Sequence, residues 1–199
     1  MAIEKSKMYG EQSLSPITRL IFGNVYEPEQ VKGQGAFKYR VTAALRPTGA
    51  LFQGLKNQMD RLVKINFGDD TSDLELPLVP CSELKAFKTR PEYEGLWVLK
   101  ATANPEYPPK IYDASGLLNT NPGLIYRGCY VRMSVNPFAF DNMSKGVSFG
   151  LQGISFVKDG PRIGAGIDPQ QQFATTPVSQ DELEWSIQGS DVDSEDVPF

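Results

Sequence analysis

The sequence predicts a mainly β protein: a small five-stranded barrel with one helix and a disordered acidic C-terminal tail. Three observations carry this. Several segments alternate apolar and polar residues with a period of two, the pattern of strands that are dry on one face and wet on the other. With 18 Gly and 15 Pro in 199 residues, the chain is cut into short pieces, and only one piece has helical spacing. Charge is also unevenly spread, because residues 180–199 hold seven acids and no Lys or Arg. The other 17 acids face 20 bases over residues 1–179, so a body near +3 precedes a strongly acidic tail in a chain of net charge −4.

Taken in order, residues 1–14 (MAIEKSKMYGEQSL) are polar and read as a flexible start. Residues 17–27 (ITRLIFGNVYE) are β-branched and aromatic, as strands are. In residues 37–45, Phe37, Tyr39, Val41 and Ala43 take one face, while Lys38, Arg40 and Thr42 take the other. Pro47 and Gly49 end that strand. Residues 50–68 place Leu51, Leu55, Met59, Leu62 and Val63 on one side of a helix, at some cost from Gly54. Residues 69–94 read as a long loop broken by Pro77, Pro80 and Pro91. A strand at 96–103 follows, then a Pro-rich turn and a short strand candidate at 110–113.

The stretch 128–140 alternates again, with Cys129, Val131, Met133 and Val135 opposite Tyr130, Arg132, Ser134 and Asn136. In 146–160, Val147, Phe149 and Leu151 alternate, the phase slips at Gly153, and Ile154 and Phe156 resume it, which predicts a β-bulge. Residues 165–189 read as a flexible linker of Gly, Gln, Thr and Pro, ahead of the acidic tip at 190–199. Five substantial strands with long loops and one helix, within residues 15–164, fit a Greek-key barrel of the OB type.

Composition narrows the chemistry. The chain has no histidine, which removes the usual general base and every nucleophile that depends on one. No glycine-rich phosphate loop precedes a helix, and Asp69, Asp70 and Asp73 lack the glycine and glutamate that complete a calcium loop. The expectation is a protein that is not an enzyme and uses no metal or cofactor. Cys81 and Cys129 are read as free thiols. No 18-residue apolar run and no basic-plus-apolar leader occurs, which predicts a cytoplasmic protein without a membrane partner.

The polar strand faces carry Lys38 and Arg40 on one strand and Tyr130, Arg132, Ser134 and Asn136 on another, with Lys100 and Thr102 extending the surface on a third. Cations follow the phosphates of a single-stranded nucleic acid, and flat rings stack on its bases. Alternation fits an ordinary solvated sheet face equally well. Trp97 alternates with Leu99 and Ala101, opposite Lys100, as a core residue does, whereas Phe138 continues the phase of Tyr130 and Arg132.

The tail ends SDVDSEDVPF. Its carboxylates need no explanation beyond solubility, but a terminal Phe does. The ring of Phe199 and the terminal carboxylate form a compact anchor for an apolar pocket rimmed by bases. The tip 195–199 (EDVPF) resembles that of bacterial single-stranded-DNA-binding proteins. Residues 127–142 (RGCYVRMSVNPFAFDN), 145–164 (KGVSFGLQGISFVKDGPRIG) and 90–101 (RPEYEGLWVLKA) resemble the bacteriophage-encoded single-stranded-DNA-binding protein family, whose fold is an OB barrel. The likeness runs over most of residues 15–165.

The resemblance implies coating of single strands during phage replication, recombination and repair, in the host cytoplasm. It implies a DNA face on the strand of Tyr130, Arg132, Ser134 and Asn136, with the strand of Lys38 and Arg40 beside it. Trp97, Lys100 and Phe138 complete the candidate set. It also implies that Asp191, Asp193, Glu195, Asp196, Pro198 and Phe199 dock replication proteins and compete with DNA. One departure stands out: the helix falls between the second and third strands, where an OB barrel usually has it between the third and fourth. Two other functions fit, a strand-annealing mediator and a phage assembly protein that binds no DNA. The sequence does not choose between a monomer and a homo-oligomer.

Overall fold

A computed structural model describes residues 8–31, 34–68, 71, 73–142 and 144–164. The strands are β1 Ser13–Leu14, β2 Thr18–Val31, β3 Gln34–Leu45, β4 Leu74–Glu75, β5 Leu78–Pro80, β6 Trp97–Ala103, β7 Lys110–Tyr112, β8 Tyr130–Asp141 and β9 Lys145–Lys158, and helix α1 spans Ala50–Phe67. Five of them close a ring: β2 pairs with β3, β3 with β6, β6 with β9, β9 with β8, and β8 with β2. The β6–β9 junction is parallel and the other four are antiparallel. This is the five-stranded OB barrel that the alternating segments predict, with α1 between its second and third strands. The short strands β4, β5 and β7 are added at its edges.

Within the barrel the inward strand residues are those the alternation assigns, whereas the helix turns Phe52 to the core and leaves Leu51, expected on its core side, 43% exposed. Val41, Ala43, Leu99, Ala101, Val131, Met133, Val135, Phe149 and Leu151 share one core, joined by Phe52, Leu55, Met59, Leu62 and Val63 of α1. Burying a side chain the size of Phe149, which has no exposed surface, contributes about 2–3 kcal/mol. The helix is entered from Gly49 and left at Gly68, both at positive φ, where a β-carbon would be strained.

The bulge expected at Gly153 is present. The β8–β9 register passes from Ser134↔Gly153 to Val135↔Leu151, which leaves Gln152 as the extra residue. It lets Leu151 and Ile154 both stay buried although they are three positions apart.

Two features differ from the sequence reading. Residues 1–14 were expected to be flexible, but from Tyr9 the chain lies along β8. Tyr9 bridges Phe138, Ser13 and Leu14 pair with Val135 and Ser134, and the Gly10 N–H donates to the Pro137 carbonyl at 2.7 Å. Gln58 of α1 holds this strap from below: its Nε2 donates to Ser13 Oγ (2.6 Å) and its Oε1 accepts from the Glu11 N–H (2.8 Å). The polar composition hides this because the strap binds through its backbone.

The second difference is in the loop at 69–94. Its later part builds a small second core outside the barrel, where Ile21, Ala44, Cys81, Phe87, Tyr93 and Val98 are buried together. Cys81 and Cys129 are free and buried, and burial pushes both thiols above their ordinary pKa. No helix among the described residues is long and apolar enough to cross a membrane.

Candidate nucleic-acid interface

Residues paired across neighbouring strands share a face, so the register maps the outer surface of the barrel row by row. One row runs Asn24–Arg40–Thr102–Gly150–Asn136, across β2, β3, β6, β9 and β8. The next is Phe22–Thr42–Lys100. On the other side lie Lys110–Gly153–Ser134–Leu14, then Tyr112–Ser155–Arg132, then Lys158–Tyr130–Arg19.

These rows correct one expectation. The strand of Lys38 and Arg40 does not lie beside that of Tyr130: β3 pairs with β2 and β6, and the parallel β6–β9 junction separates it from β8. Arg40 and Asn136 nevertheless occupy one continuous face, three strand spacings or roughly 14 Å apart. The bare backbone of Gly150 lies between them. The eye misses this because strand order in a ring is not chain order.

The predicted residues divide as follows. Arg40, Lys100, Arg132, Ser134, Asn136 and Phe138 all point outward on this face, as does Tyr130 at its far end. Lys38 sits opposite Glu29 on the part of the β2–β3 hairpin that extends past β6, whose last pairing is Tyr39↔Ala103. That overhang also leaves Phe37 exposed, with no barrel above it. Trp97 does not belong to the face. It has the inward phase of Leu99 and Ala101, pairs with Leu45, and meets Phe52 of α1 edge-on at 5.2 Å. Its alternation already pointed to packing.

The electrostatics of the face are unusual. Arg40 Nε, Arg132 Nε and Asn136 Oδ1 are shielded from solvent and have no hydrogen-bond partner among the described residues. Buried polar atoms nearly always have partners, and one left without costs about 1–3 kcal/mol. The six cations Lys38, Arg40, Lys100, Lys110, Arg132 and Lys158 are also without carboxylate partners within 4.0 Å there. The ion pairs among the described residues, Lys56–Asp60 and Lys145–Asp141, lie elsewhere. Among the described residues, the face therefore carries two guanidinium donors, one amide acceptor and several cations that make no hydrogen bond or ion pair.

Its rings are held in place. Lys158 Nζ lies 4.8 Å from the centroid of Tyr130, a cation–π contact, and Phe138 packs beside Tyr9 at 6.2 Å. Ser134 Oγ accepts from Gln12 Nε2 at 2.8 Å, so the strap borders the face.

Phe22, Lys110, Tyr112 and Lys158 also lie on or beside this face, and the sequence alone does not single them out. Lys158 had a signal, because it ends the β9 alternation where Tyr130 begins β8. Lys110 and Tyr112 had almost none, since a three-residue strand is too short to show a phase. Of the acidic cluster, Asp69 and Asp70 lie outside the described residues, as do the linker at 165–189 and the tip residues Asp191, Asp193, Glu195, Asp196, Pro198 and Phe199.

Comparison with known proteins gives a consistent family. The chain is 29% identical over 172 residues to putative protein p50 of Acyrthosiphon pisum secondary endosymbiont phage 1, covering 82% of this chain and 93% of that one. Among solved structures, the single-stranded DNA-binding protein of bacteriophage Enc34 in complex with ssDNA superposes with a TM-score of 0.60 at 19% identity, over 76% of this chain and 88% of the other. The single-stranded DNA-binding protein gp2.5 of bacteriophage T7 superposes with a TM-score of 0.58 at 10% identity, over 80% and 98%. These superpositions show a shared fold. Residues 14–183 match the family described as Enterobacter phage Enc34, ssDNA-binding protein, and the chain belongs to that family.

Proposed function

We propose that this member of the phage single-stranded-DNA-binding family binds and protects single-stranded DNA, without catalysis, during phage replication, recombination and repair. The observation that carries the reading is the outer face across β3, β6, β9 and β8. Among the described residues, three buried polar atoms without partners and the cations Lys38, Arg40, Lys100, Arg132 and Lys158 without carboxylates share it with Tyr130 and Phe138, and Lys110 of β7 adjoins it. Phosphates would satisfy Lys38, Arg40, Lys100 and Arg132, and a base would stack on Tyr130 or Phe138. Asn136 and Ser134, with polar side chains in the same surface, would contact sugar or base edges. OB barrels bind oligonucleotides over their second and third strands, here β3 and β6.

The acidic tip would recruit replication and recombination proteins through its carboxylates and Phe199. Seven acids in residues 180–199 would also compete with DNA for the cations of the body.

Fluorescence anisotropy with labelled oligo-dT, and a duplex of equal length, tests both parts. Tight binding to the single strand should weaken steeply with salt, with a log–log slope of roughly −4 if all six cations engage phosphate. Deleting residues 180–199 should tighten it. Failure of both the intact and the shortened chain to bind oligo-dT would refute the reading, and unchanged affinity after the deletion would refute the competing tail.

A further inference from the structure

We propose that Tyr112 is a base-stacking residue, and that the DNA path crosses β9 onto β7, beyond the five strands of the barrel. The inference rests on the single-strand reading above and adds to its site a ring on β7, a strand from which that reading takes only the charge of Lys110.

The placement of β7 carries the argument. It runs parallel to β9 with Lys110↔Gly153, Ile111↔Ile154 and Tyr112↔Ser155 in register. Ile111 is buried in the barrel core, so Lys110 and Tyr112 on either side of it face outward. Ser155 in turn opposes Arg132 on β8, which puts Tyr112, Ser155 and Arg132 in one row. The guanidinium of Arg132, with its unpartnered Nε, therefore stands two strands from the Tyr112 ring on an uninterrupted face.

The glycines of β9 give the second argument. A β-carbon added at Gly150 would lie 3.7 Å from Cε1 of Phe138, and one added at Gly153 would lie 3.2 Å from Cε2 of Tyr112. Phe138 reaches over β9 from β8, and Tyr112 reaches over it from β7. The backbone beneath each ring is bare. Glycine weakens the interior of a strand, and its presence there marks a place where something approaches closely. Two half-buried rings on bare backbone, roughly 10 Å apart by strand rise, form two separate stacking positions for bases of one strand. Lys110 and Arg132 flank the second position with positive charge.

The backbone on which Tyr112 stands is also fixed in advance. Ser155 Oγ donates to the Asp113 carbonyl at 3.3 Å, and the Asp113 carboxylate accepts from the Ser115 N–H, the Ser115 hydroxyl and the Leu117 N–H. The turn that follows β7 is tied down on both sides of the peptide, so little ordering remains to be done when a base arrives.

The test separates a ring from a mere scaffold. Full-length protein, with Tyr112→Leu and Tyr112→Phe, is titrated against oligo-dT and against an abasic phosphodiester of equal length, with thermal melts on each variant. Tyr112→Leu should lose about tenfold in affinity for oligo-dT and almost nothing for the abasic strand, while Tyr112→Phe keeps both. Equal losses on the two ligands, or no loss on oligo-dT, would overturn the proposal. If Tyr112→Leu does not fold, photocrosslinking of the unaltered protein to a bromodeoxyuridine oligonucleotide decides. A crosslink in the peptide bearing Tyr112 supports the contact, and crosslinks confined to other peptides overturn it. An unaltered protein that binds no oligo-dT at all would instead sink the underlying single-strand reading.

Discussion

At Ala44 and Val98 the outer face of β3 and β6 is dry, with 4% and 0% of each residue exposed. Four residues along, at Arg40 and Thr102, the same face of the same two strands is half-exposed and polar. The dry end lies under the segment that follows β5, whose Cys81, Phe87 and Tyr93 close over Ile21, Ala44 and Val98. The β2–β3 register slips between Leu20 and Phe22, which turns Ile21 outward into that cover and leaves Phe22 at its rim, 41% exposed and 6.3 Å from Phe87. A barrel's outer face is therefore not polar by default. Here the chain covers one end with apolar side chains and leaves cations at the other.

If the two ends have separate duties, their variants should separate stability from affinity. Phe87→Ala should have the largest effect, lowering the unfolding free energy by about 3 kcal/mol in a denaturant titration. Its affinity for oligo-dT should hold wherever the protein remains folded. The same variant should speed thiol labelling of Cys81, while Cys129 in the barrel core stays protected. A tenfold loss of affinity in the folded variant would mean that the ends are not independent.

Arg40→Ala should do the reverse. We expect about a tenfold loss of oligo-dT affinity and a salt slope shallower by about 0.7, the share of one phosphate contact on a single strand. The melting temperature should be unchanged or higher, because a buried donor without a partner is removed. A fall of several degrees would show that Arg40 serves the fold. Phe22→Ser probes the border and should give the smallest change, about 1 kcal/mol in stability and about twofold in affinity. A pure stability effect would assign Phe22 to the cover, and a pure affinity effect would assign it to the face.

Much of this was legible in the sequence. Residues 37–45 and 128–140 alternate because each strand has a dry and a wet side, and the slip at Gly153 is visible because a bulge adds one residue to that period. Arg40, Arg132 and Asn136 could thus be chosen by phase. What phase cannot give is adjacency. That Arg40 meets Asn136 through Thr102 and Gly150 depends on a parallel junction between strands that lie about 50 residues apart in the chain. Tyr112 is hidden for a related reason, since β7 acquires its face only by attaching to β9. The cover over Val98 reads as a loop in the sequence because its apolar residues, spread among prolines and charges, show no period.

The strap along β8 has a consequence in time. Thr18 hydrogen-bonds to Val131, 113 residues later, and Tyr9, Ser13 and Leu14 likewise await β8. At about 5–20 residues per second, a ribosome needs roughly 6–23 s to deliver the partner of Thr18. For that interval the backbone groups of this segment that β8 will pair have no strand beside them, and only Gln58 of α1 is there to meet Glu11 and Ser13. Glu11, Gln12 and Pro16 make it a poor template for pairing with a neighbouring chain. The polar character of this segment is then a safeguard during synthesis, retired once β8 emerges and the barrel shuts.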